Sequence, residues 1–167
     1  MQAKQDLEGK TYDRITKLPA YSSFADINDN FKTLLALANE DSRPASIGMI
    51  SALARIWDPK GTVREGEYAI NSAAQSALDS IYGDWREIVI GKGKLGADGK
   101  KAVIEAAAQK YNSFGSSLDV QQKALLDNLQ QQGGNPANVP IMSYSAFKGV
   151  DIYRNKTTGE IKIVPKQ

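Results

Sequence analysis

The stretch "IVIGKGKLGADGKKAVIEAA", residues 88–107, decides between two folds. Gly91, Gly93 and Gly96 spell G-x-G-x-x-G, with Ile88, Val89 and Ile90 before them and a helix-like run after. In a doubly wound α/β protein that order is a strand, a glycine turn and a helix N-terminus facing a pyrophosphate. In a helical protein the same residues are a lysine-rich turn between two helices.

The flanks favour the second reading. Leu78, Ile81, Tyr82, Trp85, Ile88 and Val89 follow a period near 3.6, so the helical phase runs up to the loop. A dinucleotide fold also needs a second buried strand, with an acidic residue about 20 positions on. After Tyr111 comes "NSFGSSLDVQQ" instead. A P-loop needs Lys-Ser or Lys-Thr after its last glycine, where this chain has Ala97. As a turn, Gly91 sits just past a helix C-terminus, Leu95 dips between helices and Asp98 caps the next helix. Lys92, Lys94, Lys100 and Lys101 then form an exposed basic tip, a candidate contact for phosphate or an acidic partner surface.

Upstream of the loop, residues 1–21 are polar, and Pro19 reads as a stop for any early helical turn, so they are expected to form an N-terminal arm. In "SSFADINDNFKTLLALANED" Phe24, Ile27, Phe31, Leu34, Leu35 and Ala38 recur at helical spacing, predicting a helix over about 23–40 capped by Ser22 or Ser23. Ser42 and Pro44 suit the start of a further helix with the stripe Ile47, Ile50, Leu53, Ala54 and Trp57. Asp58-Pro59 stops it. Thr62 and Glu65 make a capping box for a helix reaching residue 89, in which Gly83 marks a weak point.

Downstream of the loop, Val103, Ala106, Ala107, Lys110, Tyr111 and Phe114 form one helical face. Leu118, Leu125, Leu126 and Leu129 form another, with a break expected at "GSS", 115–117. "GGNPANVP" ends regular structure. "GVDIYRNKTTGEIKIVP", 149–165, alternates around "NKTTGE", predicting a β-hairpin with Gly159 at positive φ. A lone hairpin is marginal in water, so it must pack on helices or join a neighbouring subunit's sheet. The fold class expected is mainly α with a small C-terminal β-hairpin. Its segments are an arm (1–21), a helical domain (22–133), and a loop with the hairpin (134–167).

Composition narrows the chemistry. With 21 basic and 19 acidic side chains the net charge is +2, which demands neither nucleic acid nor an anionic membrane. No apolar run approaches a membrane span, and residues 1–20 lack the order of a signal peptide. The 167 residues contain no His and no Cys. That removes the usual general base near neutral pH, a thiolate nucleophile and the commonest metal ligands. No cofactor or metal is expected. Asp58, Glu65 and Glu67 are the nearest acidic cluster, open to a glycosidase-like acid pair or to helix capping with Arg64. Trp57 and Trp85 read as core anchors. Tyr144 and Tyr153 read either as interface residues or as fastenings for the C-terminal segment.

The segment "MISALARIWDPKGTVREGEYAINSA" resembles a motif of tailed-phage virion proteins, both internal or ejected and tail-associated. Its pattern is an apolar helix, Asp58-Pro59, a short turn, then Val63, Arg64, Glu65, Gly66, Glu67, Tyr68 and Ala69. With the loop and helix that follow, the likeness spans roughly residues 45–112. It implies a non-enzymatic virion protein of the tail or DNA-ejection apparatus, located in the particle and assembled in the host cytoplasm. The implied partners are further copies of itself and other virion proteins, with genomic DNA a further candidate. The alternatives are a peptidoglycan-cleaving enzyme using Glu65 or Glu67, and a nucleic-acid-contacting virion protein using the lysine tip.

Overall fold

The computed structural model describes residues 2–58, 79 and 93–166. They are mainly helical, with a two-stranded antiparallel sheet near the C-terminal end, as the sequence leads one to expect. In order they form α1 (Gln2–Thr16), α2 (Pro19–Leu37), α3 (Arg43–Trp57), α4 (Ala97–Gln131), a 3₁₀ turn (Pro136–Asn138), β1 (Val150–Arg154) and β2 (Ile161–Pro165). Apart from Asp79, the helix expected up to residue 89 lies outside the described residues. So do Pro59, Val63, Arg64, Glu65, Gly66, Glu67, Tyr68 and Lys92.

The chain divides into two units: Met1–Ala25 with Asn112–Ala146, and Asp26–Tyr111 with Phe147–Gln167. Each joins two separated stretches. Helices α2 and α4 contribute residues to both.

In the first unit, the expected arm is a helix. Leu7, Thr11 and Ile15, four apart, put one narrow row of α1 inward. Thr11 fits there because its hydroxyl donates to the Leu7 carbonyl at 2.9 Å. Ile15 is fully buried with Leu129 and Val139, ringed by Leu7, Tyr21, Leu125 and Leu126. Pro19 is not a stop but begins α2, where a missing N–H costs no helical bond. Ser22 and Ser23 therefore lie inside α2 and do not cap it.

Helix α4 runs unbroken for 35 residues, correcting the break expected at 115–117. Ile104, Ala108, Tyr111, Gly115, Leu118, Gln122, Leu125 and Leu129 lie on one row by alternate steps of four and three. Gly115 stays helical because the Tyr144 ring occupies the space a side chain would need; a Cβ there would overlap the ring. Tyr144 also meets Phe24 edge-on at 5.9 Å and donates to Asn112 Oδ1 at 3.3 Å. The helix closes on a Schellman motif: Gly133, at φ 82°, donates to the Gln130 carbonyl, and Gly134 donates to that of Leu129. Regular structure resumes briefly in the 3₁₀ turn, where Asn135 Oδ1 accepts from Ala137 N–H.

In the second unit, Ser42 caps α3 as predicted, its hydroxyl accepting from Ala45 N–H at 3.2 Å, with Pro44 in the first turn. Asp58 is the C-cap. Gly48 lets α3 approach Leu37 of α2, since a Cβ would stand 2.6 Å from Leu37 Cδ1. Ile27, Phe31, Leu34, Ile50, Leu53, Val103 and Ile104 are buried, and Phe31 stacks on Tyr111 at 4.6 Å. The hairpin has the predicted strands, with Ile152 opposite Ile163 and Gly159 at φ 73°. Asn155 Oδ1 shapes its turn by accepting from Thr157 and Thr158 N–H.

Candidate functional site

Two places concentrate exposed or charged groups in the second unit: the glycine–lysine loop and the hairpin. Of the four lysines expected at an exposed tip, Lys92 lies outside the described residues, Lys94 and Lys101 are exposed, and Lys100 is buried. Leu95 is buried, and its N–H donates to Ser46 Oγ at 3.0 Å, pinning the loop to α3. Gly96 accepts the first helical bond of α4 from Lys100 N–H, so Asp98 is not the cap. Asp98 lies in the first turn, where its charge suits the helix dipole.

Lys100 is buried, 6 % exposed, and its ammonium donates to the carbonyls of Ala38 (3.0 Å) and Glu40 (2.7 Å) just past α2. It satisfies two carbonyls of the turn that follows α2. Burial pushes its pKa below the ordinary 10.5, with Asp41 pulling the other way. Lys94 pairs with Asp41 at 2.6 Å, and that bond and charge hold the Asp41 carboxyl below its usual 3.8. Lys101 lies 3.8 Å from Glu105. Lys94, Lys100 and Lys101 thus each have a partner inside the chain. A cavity of about 580 Å³ beside them is lined by Asn39, Asp41, Lys94, Lys100 and Glu160, among others.

The hairpin is anchored from one side. Asn39 pairs with both backbone groups of Ile163, donating to its carbonyl at 3.1 Å and accepting its N–H at 2.8 Å. Since Ile163 faces Asn39, the Ile152–Ile163 pair is of the non-hydrogen-bonded kind, and Ile152 turns its own N–H and C=O away from β2. Among the described residues nothing pairs with them. Among the described residues the outer edge of β1 is therefore unpaired at Ile152 and Arg154, while that of β2 is closed by Asn39 and by Pro165, which has no N–H.

Tyr153 stands 58 % exposed opposite Lys162, whereas Tyr144 is packed inside the first unit. Trp57 is half-buried, with Lys110 Nζ 5.2 Å from its ring centroid. Among the described residues no group of His, Cys, Asp and Glu is placed to hold a metal, and no helix is long and apolar enough to cross a membrane.

No protein-family model matches the chain, and no curated protein or solved structure matches it.

Sequence reasoning missed three side chains that fasten the C-terminal segment. They are Asn39 on Ile163, Gln122 on both backbone groups of Met142, and Glu8 on Asn135 N–H and Asn138 Nδ2. Gln122 had a signal, being a polar residue on the apolar row of α4. Asn39 and Glu8 had none, since their partners lie 124 and at least 127 positions away.

Proposed function

We propose that this chain is a structural protein of a tailed-phage particle, in the tail or the DNA-ejection apparatus, working by assembly rather than catalysis. The observation that carries the assembly reading is the open edge of β1. An extended segment laid along it would gain main-chain hydrogen bonds at Ile152 and Arg154, the mode of strand addition. The virion reading is supported by the resemblance on Asp58-Pro59 and Val63–Ala69. The expected partners are further copies of this chain and other virion proteins.

Particles purified from infected cells by density gradient test it. The chain should co-sediment with them at fixed stoichiometry, and imaging should locate it in the tail or at the genome's exit. Recovery only in the particle-free fraction would sink the proposal.

A further inference from the structure

We infer that the edge of β1 pairs with the same edge of a second copy of this chain, antiparallel and two-fold symmetric about Tyr153. This pairing rests on the strand-addition reading and names its occupant and register. Ile163, opposite Ile152, gives its backbone groups to Asn39, so β1 turns outward the backbone groups of alternate residues, Val150, Ile152 and Arg154. Val150 is 3 % exposed, which leaves Ile152 and Arg154 as the two that a strand can reach. Two reachable residues flanking one centre are self-complementary. Set antiparallel about Tyr153, Ile152 of each copy meets Arg154 of the other, and each such pair exchanges both its N–H and its C=O. The reachable groups of both edges are then satisfied, and the sheet runs β2–β1–β1–β2. A centre at Ile152 would instead set Arg154 against the covered Val150.

Tyr153 occupies the centre of that pairing. It points to the opposite face from Ile152 and Arg154 by strand alternation, and it stands 58 % exposed. Among the described residues no aromatic ring stacks on it. About the two-fold it faces itself in a non-hydrogen-bonded pair, the closest kind of cross-strand neighbour, so the two rings cover each other. Asp151 meets Asn155 of the other copy, so no like charges stand directly opposite. The two Arg154 side chains lie on a diagonal in water, and salt screens their repulsion.

The chain has no Cys, so a single introduced one reports its own contacts. Across the two-fold, the Cα atoms at position 153 would stand about 4.5 Å apart, within disulfide reach. Under mild oxidation at high protein concentration, full-length Tyr153→Cys should cross-link into dimers about tenfold faster than a collisional control. The control is Val120→Cys on α4, at a similarly exposed position. Asp151→Cys, offset from its copy by about 13 Å along the strand, should only match the control. Sedimentation of the unmodified chain should show a dimer that Tyr153→Lys removes by setting two ammoniums face to face. Arg154→Gln should strengthen the dimer, as should added salt. The Ile163 amide resonance reports that the hairpin stays folded in each variant. Tyr153→Cys cross-linking no faster than Val120→Cys overturns the self-pairing, and so does Asp151→Cys cross-linking as fast as Tyr153→Cys. Should self-pairing fail while Ile152→Pro still keeps the chain out of particles, strand addition stands and its occupant is another protein.

Discussion

Gln122 shows how one residue fixes a segment that has no regular structure. It sits fully buried on the apolar row of α4, and its amide pairs with both backbone groups of Met142 at 3.0 Å. Replacing it with Leu keeps the volume but leaves a backbone N–H and C=O without partners. Gln122→Leu should cost about 2–3 kcal/mol in urea denaturation. Asp41 gives a pH prediction. Its carboxyl is held below 3.8 when folded, so the stability it contributes is complete above 3.8 and fades as the pH falls through the lowered folded value. The pair is exposed, so the effect is small and weakens with salt. The urea midpoint of Asp41→Asn should lack that acid-side slope; an identical slope in the variant would remove Asp41 as its source. Lys100 acts at the other end. Its folded value lies below 10.5, so stability rises with pH between the two. Lys100 was legible as a lysine near a helix start, but its burial was not, because the carbonyls that hold it are about 60 positions away.

At the scale of elements, α4 is the test of local against tertiary preference. "GSS" at 115–117 reads as a break because glycine is a poor helix former, by about 1 kcal/mol relative to Ala. The helix continues because Tyr144 fills the space above Gly115. Gly115→Ala should therefore destabilise the protein by about 1–3 kcal/mol despite the better propensity. In a Tyr144→Ala background the same change should become stabilising by about 1 kcal/mol. Thermal melts of the four variants check this, and a gain from Gly115→Ala in the native background would contradict it. Helix α1 shows the opposite failure of reading. Only Leu7, Thr11 and Ile15 mark its inward row, too few to stand out in a polar segment, so its partners decide its state. The hairpin was legible throughout, because alternation, turn residues and Gly159 are all local signals.

At the scale of the whole molecule, the β1 edge, unpaired among the described residues, is where the proposed assembly would add a strand. Ile152→Pro removes an N–H that has no partner among the described residues, and Asp151 before it is already extended, as proline requires. The variant should fold with an unchanged helical signal yet fail to enter particles or self-associate, read by gradient co-sedimentation and analytical ultracentrifugation. Full incorporation of a folded Ile152→Pro chain would move assembly to another surface.

The sequence by itself determined the mainly helical class, the cap and start of α3, the hairpin with its turn, and the removal of His and Cys chemistry. Those follow from composition or from periods and caps only a few residues long. Tertiary structure alone decided that residues 2–16 are helical, that α4 is continuous, that Lys94 and Lys100 serve the fold, and that Asn39 closes the edge of β2. The physical reason is distance along the chain. A helix's period is written in its own residues, whereas a buried ammonium, a seated ring or a closed strand edge depends on partners tens of positions away, brought close only by folding.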